Sequence, residues 1–593
     1  MRKWCLLLLL LGCSMGVQAQ YSMGNTGLLN IPTADMQEAG TFMGGGNYLP
    51  NGMTPFNFNT GNYFVNITFL SFLELSYRCT LLKTTRYDGK KGYFQQDRSL
   101  SARIRPIKEG KYHPAIVIGT NDPFKDTGTN YFATIYGVLT KGFSIAKGDR
   151  LALTAGYYLP LNKHSIQDGP FGGISYSPAF CREMTVMAEY DSEGFNVGAA
   201  ARLWRHLYIG MENIRCAQTP GVTTVSFENN VYRSTYTGVG KAIDACLGSK
   251  TKGDLQLVVL ENRIPRLCIN LPDTLTAAYR NGEISLTQVY QQMGITVDTD
   301  AAMKALKNAG QEEAPSAWKM DLVIYPDLFL ENNTFDELYT YAINLNPAVE
   351  MALWKGGKMT AQVILPVATN LSGEMKRIRP GIIALSQDVR FRHNIFGKMT
   401  VGNFTNNRYG AQLEIKYRTN NGRWELGGTA GSTGFSAITR EDGLYLGRYT
   451  GRKQRINASL NASYYEPRLN LQFDLKAGRY IYGDYGVRGD CTRHFGEYAI
   501  GLYALCTDGE INGGFHFAIP LPGKKWSRKG FFRVKPADYF AWAYGMVADG
   551  EYIEKQLGKS YSTRPNENRS SNFYQPDYIR YFLIKELQKE KSK

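Results

Sequence analysis

The sequence predicts an all-β protein: two antiparallel transmembrane β-barrels in one chain, with a small helical, α+β periplasmic insert between them. Three observations lead there. Segments of about 8–11 residues alternate apolar and polar side chains many times along the chain. The composition is rich in Gly (62), Tyr (39) and Phe (29), which suits short aromatic strands joined by glycine turns. One block, Asp273 to Gly310, breaks the alternation with helix signals. At 593 residues the chain is also longer than one ordinary domain.

The N-terminus reads as a secretory leader. Met1-Arg2-Lys3 is cationic, Leu6 to Leu11 are consecutive leucines, and Val17-Gln18-Ala19 places small residues before a cut after Ala19. A second reading takes Leu10-Leu11-Gly12-Cys13 as a lipobox, which would make Cys13 a lipidated N-terminus. Either route takes the chain out of the cytoplasm. The net charge of +16 therefore points to an anionic lipid surface or an acidic polymer, and not to nucleic acid. Past the leader no run reaches the roughly 20 apolar residues of a membrane helix. Cys79, Cys181, Cys216, Cys246, Cys268, Cys491 and Cys506 are scattered, without a disulfide framework or a metal-ligand spacing.

The first barrel is read over 20–250 and the second over 319–522. Leu73-Glu74-Leu75-Ser76-Tyr77-Arg78 and Ala102-Arg103-Ile104-Arg105 alternate in the first; Ala411 to Arg418 and Leu469 to Lys476 alternate in the second. A secreted sandwich alternates too. Paired tyrosines at strand ends, Tyr157-Tyr158 and Tyr464-Tyr465, favour a barrel with aromatic girdles in the outer membrane. Gly44-Gly45-Gly46 lacks the Lys-Ser/Thr of a phosphate loop and belongs in an early strand. Asn512 to Ile519 carries the polar-x-Gly-x-x-apolar-x-apolar pattern of a closing barrel strand.

The insert is placed at 251–318. Asp273 caps a helix over Thr274–Asn281, Ser285 with Gln288 forms a capping box for Leu286–Met293, and Asp298 or Thr299 caps Ala301–Asn308. Because its ends join two barrels, the insert is expected in the periplasm. The tail, 523–593, is basic around Lys524 to Lys529, with an amphipathic helix at Tyr578–Leu587 that suits docking on the insert or on a partner.

Several ordered blocks resemble the YjbH family of envelope proteins, which are linked to exopolysaccharide and capsule production in Gram-negative bacteria. They are Gly24-Asn25-Thr26-Gly27-Leu28-Leu29-Asn30-Ile31-Pro32-Thr33-Ala34, Phe72 to Arg78, Ile118 to Asp122, Thr127-Gly128-Thr129 with Tyr131, and Ala477 to Gly486. Arg493 with Phe495, Thr507-Asp508 and Ile519-Pro520-Leu521 follow. The resemblance implies an outer-membrane component of exopolysaccharide or capsule biosynthesis and export, acting as conduit or scaffold. It implies work beside periplasmic and lipoprotein partners. The alternative from another class is a general porin, which needs one wide barrel; about 10–14 candidate strands in each half give narrow interiors.

No enzyme is expected. The six histidines are isolated, with no H-E-x-x-H, G-x-S-x-G or Ser-x-x-Lys motif, and no cofactor or metal is indicated. The candidate glycan-binding group is Arg479, Tyr480, Asp484 and Arg493. Guanidiniums present paired donors to carboxylates or phosphates of an anionic polysaccharide, and tyrosines stack on sugar rings. The competing reading makes the arginines lumen counterions for acids such as Asp484.

Overall fold

The computed structural model describes residues 23–49, 58–85, 91–123, 131–145, 149–163, 165–177, 184–192, 194–201, 215–219, 222–248, 253–308, 318–331, 340–439, 443–447, 456–526, 531–545, 555–565 and 573–591. The leader and Cys13 lie outside them. Two compact units divide near Leu207, and each is built on a large sheet.

The first unit is a ten-stranded meander from Phe42–Leu49 to Phe195–Ala201, each strand antiparallel to the next. Its faces are inverted relative to a water-soluble sheet. Along Leu73–Thr85, Glu74, Ser76 and Arg78 are buried while Leu73, Leu75 and Tyr77 are only partly covered. In the next strand Arg103 is buried between Leu100 and Ile104, which are 40% and 46% exposed. The glycine run forms the first strand, as expected. A Cβ on Gly45 would lie 2.7 Å from the Phe64 ring, so this face admits no side chain.

What fills the buried face is the segment Met23 to Gln37. Leu28, Ile31, Ala34 and Met36 pack with Val117, Tyr136, Val138, Tyr158, Phe171 and Met187 of the sheet. The segment reaches Asn66 and Glu74 at one side of the meander and Glu189 at the other, so the strands curl around it.

The second unit holds a larger sheet of fifteen strands and a five-stranded mixed sheet. The larger sheet runs as an antiparallel meander from Met320–Glu331 to Glu510–Pro520, with Gly443–Gly447 paired off the path to Trp424–Thr439. Its faces are inverted as well. On Leu471–Arg479, Phe473 and Leu475 are exposed and Gln472 is buried.

Two further strands come from the tail, where the sequence reading ended the sheet at 522. Phe532–Pro536 lies parallel to Met320–Ile324 at one edge. Tyr539–Gly545 lies antiparallel to Gly514–Pro520 at the other edge. Only Ala537 and Asp538 separate them, so Pro536 and Tyr539 are at most about 11 Å apart. The two edges of the path are therefore held side by side, and Ala537 N donates to Ile324 O at 2.8 Å.

The mixed sheet begins at Arg215–Thr219, upstream of the boundary read at 250. Val222–Glu228 pairs in parallel with Asp254–Glu261, which requires a crossover; helix α1, Thr235–Leu247, supplies it. Helices α2 (Asp273–Arg280), α3 (Leu286–Gln292) and α4 (Asp300–Asn308) fall where the capping signals put them. The Ser285–Gln288 capping box is formed. Asp273 is a first-turn residue and not the cap; Pro272 holds that place, and the Asp273 carboxylate accepts from Gly253 N at 3.1 Å.

Helix α5, Pro576–Lys591, is the docked tail helix. Tyr578, Ile579, Phe582 and Leu583 share one core with Val239 and Ile243 of α1, Val289 and Tyr290 of α3, and Leu257 and Ile269 of the mixed sheet. The tail is thus part of two cores and not a separate region.

Candidate functional site

The four residues singled out from the sequence do not converge. Arg479 ends its strand on the outer face shared by Phe473 and Leu475, and donates to Ile456 O at 2.6 Å. Tyr480 is buried in the following turn, its N–H bonded to Asp484 O at 2.9 Å. Arg493 pairs with Leu471 at the far end of the same hairpin, while Arg479 pairs with Tyr485. Eight residue steps separate these pairs, about 27 Å. Arg493 also shares the outer face, over the Phe495 ring at 5.2 Å. Both arginines thus lie on the face of the sheet opposite Gln472 and Asp490.

Asp484 has a different task. Its buried Oδ2 accepts from Thr507 Oγ1 at 2.8 Å and from Gly558 N at 2.7 Å. The carboxylate pins the tail to a turn of the large sheet.

The inner faces carry the chemistry. In the first sheet, Glu74 and Arg103 form a fully buried ion pair of 2.6 Å. Glu74 Oε1 also accepts from Thr26 N and Asn66 Nδ2, each at 2.7 Å. Arg103 donates to Thr33 O and Asp35 O, each at 2.7 Å. Glu189 accepts from the backbone of Leu29 and Asn30 at 2.9 and 2.6 Å. These bonds hold the Gly24–Ala34 motif inside the sheet. Glu74 and Arg103 stood in the alternating segments, but nothing local in the sequence marks them as partners of a segment 40 to 70 residues away.

In the larger sheet, ion pairs line the inner wall: Lys358–Glu350 at 2.7 Å, Lys416–Glu414 at 3.3 Å and Arg488–Asp490 at 2.8 Å. The Arg488 guanidinium lies 3.8 Å over the Tyr503 ring. One end of this wall is covered by the mixed sheet. Gly356 N donates to Asn262 O at 3.0 Å, Arg263 to Leu353 O at 3.0 Å, and Arg390 to Val297 O at 2.9 Å. There Arg266 bonds Glu261 at 2.8 Å. Burial alone would raise the Glu261 carboxyl, but the guanidiniums of Arg266 and Arg564 hold it below the ordinary carboxylate range.

The tail reaches both ends of the wall. Tyr561 stacks on Phe404 at one end, and Tyr574 O accepts from Arg418 at 3.0 Å at the other. Phe404 and Arg418 are ends of successive strands, Ile395–Phe404 and Arg408–Arg418, about 30 Å long. Arg564, between the two tyrosines, interacts electrostatically with inward-facing Glu414 and Lys398. Residues 561–564 and 574 of the tail thus meet the inner wall.

The covered faces of both large sheets thus carry polar side chains and meet chain segments. Among the described residues no cluster of His, Cys, Asp or Glu is set to hold a metal ion, and no helix is long and apolar enough to cross a membrane. The family profile of YjbH, described as exopolysaccharide biosynthesis protein YbjH, matches residues 19–159 and 198–520. The chain belongs to the YjbH family. The matched span takes in the buried Gly24–Ala34 segment, Glu74, Arg103 and the large sheet up to Pro520; the tail, including Tyr561 and α5, lies beyond it. No curated protein matches the chain.

Proposed function

We propose that this YjbH-family protein is a two-barrel component of the cell outer membrane that serves exopolysaccharide or capsule biosynthesis and export, as conduit or scaffold. The observation that carries the membrane reading is the inversion of both large sheets. Ile104, Leu153, Leu475 and Leu460 lie on the exposed face while Glu74, Arg103, Glu414 and Asp490 lie inside, the arrangement that lipid outside and a polar interior demand. The two edges joined through Ala537 and Asp538 support closure of the larger sheet, and the segment wrapped by the first supports closure there. The polysaccharide role rests on family membership.

In this reading outer-membrane lipids cover the apolar bands, the mixed sheet with α1 to α5 lies in the periplasm, and periplasmic or lipoprotein partners meet it there. The exported polymer is an anionic polysaccharide, matched to the +16 charge of the chain. No catalytic step is assigned to it. The segments inside both sheets weigh against a general porin, which needs an open interior.

Closed barrels resist detergent unfolding, so the protein is expected in the outer-membrane fraction as a band whose gel mobility changes on boiling. Recovery in the soluble periplasm would contradict the reading. Deleting the gene is expected to lower surface or secreted polysaccharide severalfold while uptake of a small chromogenic antibiotic stays within about twofold of wild type, since narrow interiors pass little solute. Unchanged polysaccharide would remove the function; a large drop in solute uptake would favour the porin.

A further inference from the structure

On the inner wall of the larger sheet Ile382, Ala384 and Phe404 form an apolar patch at the end away from the mixed sheet. Tyr561 of the tail lies flat on it. Its ring is 5.2 Å from that of Phe404 and only 9° from parallel. Its hydroxyl donates to Asn457 Oδ1 at 3.1 Å. The same hydroxyl sits 2.1 Å from where a Cβ on Gly431 would be, so the wall is hollowed to admit this ring. Arg408, on the neighbouring strand and buried, stands over the Tyr482 ring at 5.1 Å and acts electrostatically on Tyr561.

A flat aromatic surface, an amide and a guanidinium within one recess are what an acidic pyranose unit requires. The CH face of the sugar stacks on the ring, its hydroxyls meet the amide, and its carboxylate meets the cation. Tyr561 fills the recess with a six-membered ring and a hydroxyl, much as a sugar would. The tail is held at this end by hydrogen bonds to two turns, the exposed one at Thr405 and the buried one at Ile481. Thr405 N donates to Ser562 O at 3.2 Å, Ser562 N to Thr405 Oγ1 at 2.7 Å, and Ile481 N to Lys559 O at 3.2 Å. The Thr405–Ser562 bonds are exposed, so water replaces them at modest cost, while the bond from Gly558 to the buried Asp484 stays in place as the Tyr561 side chain swings out.

We propose that Phe404, Arg408, Asn457 and Tyr482 form a binding subsite for an acidic polysaccharide inside the larger sheet, with Tyr561 as the side chain that the polymer displaces. This rests on the polysaccharide reading above and names its site and ligand class.

The test uses the purified full-length protein in detergent, with polygalacturonate as the acidic pyranose polymer and dextran as the neutral one, followed by calorimetry. Tyr561→Ala is expected to bind polygalacturonate about tenfold more tightly than wild type, the scale of one or two aromatic contacts, with no comparable gain for dextran. Phe404→Leu, which keeps the strand apolar, should cancel that gain. A Thr405→Cys/Ser562→Cys pair, oxidised, should fix the tail in place and abolish binding until a reductant restores it. No gain in Tyr561→Ala, a gain that survives Phe404→Leu, or an equal gain for dextran each overturns the proposal. Should Tyr561→Ala lose its heat-modifiable form, the cysteine pair decides: binding equal in its oxidised and reduced states overturns it. A flat binding result beside a clear polysaccharide defect in the deletion strain removes only this subsite, whereas an unaffected deletion strain removes the function itself.

Discussion

Glu74→Ala is expected to lose about 3–5 kcal/mol of stability, because it leaves the Arg103 guanidinium charged and buried without its anion. The same change strips acceptors from Thr26 N and Asn66 Nδ2, and each buried donor left open adds about 1–3 kcal/mol. The temperature at which the compact gel band disappears should fall steeply, and the Gly24–Ala34 segment should become accessible to protease. Glu74→Gln keeps one oxygen for those donors and is expected to be milder. A Glu74→Ala/Arg103→Ala double variant should lose less than the two single losses added together, since the second change removes the stranded charge. A Glu74→Ala protein that melts like wild type would show that the N-terminal motif is not seated on this pair.

The second large effect is expected at Tyr578→Ala in α5. The ring is fully buried, with Phe573 and Phe582 each at 4.7 Å, His494 at 5.6 Å and Tyr236 at 6.0 Å. Removing it costs about 3–5 kcal/mol from the lost area and the cavity left behind. Its hydroxyl also donates to Gly496 O at 2.8 Å, so Tyr578→Phe isolates the hydrogen bond at about 1 kcal/mol. Limited proteolysis is the measurement: Tyr578→Ala should open cleavage in α1 to α4, while the large sheet keeps its heat-modifiable band. Equal protease resistance in wild type and Tyr578→Ala would place α5 outside the core.

The features legible in the sequence were those set by local physics. Period-two alternation is visible in strands such as Leu73–Thr85 and Arg408–Arg418 because successive side chains point to opposite faces, apolar ones to the exposed face and polar ones to the covered face. The Ser285–Gln288 cap was legible because both partners lie within one turn. Non-local pairing was not. Val222–Glu228 alternates like a meander strand, yet its partner is parallel and reached through α1, whose Gly238 and Gly240 weaken any helix signal. Phe532–Pro536 is short and ends in proline, and its pairing with Met320–Ile324 leaves no trace in either segment. Among the site residues, Arg479 and Arg493 are close in sequence, but the turn around Tyr480–Asp484 sets a register that sends them to opposite ends of one hairpin. Phe404 carried no signal because the ring that covers it, Tyr561, lies in the tail.

The two-residue step at Ala537 and Asp538 also fixes an order of events in time. Arg533 and its partner Asp321 are 212 residues apart, so Met320–Glu331 leaves the ribosome long before its second neighbour exists. Through that interval the strand carries an unsatisfied edge, the feature most prone to pair with a strand of another copy. Joining the ends of so long a segment is also entropically slow. A chain interrupted anywhere before Phe532 would keep that edge for good, and aggregation, more than loss of a side chain, would be its defect.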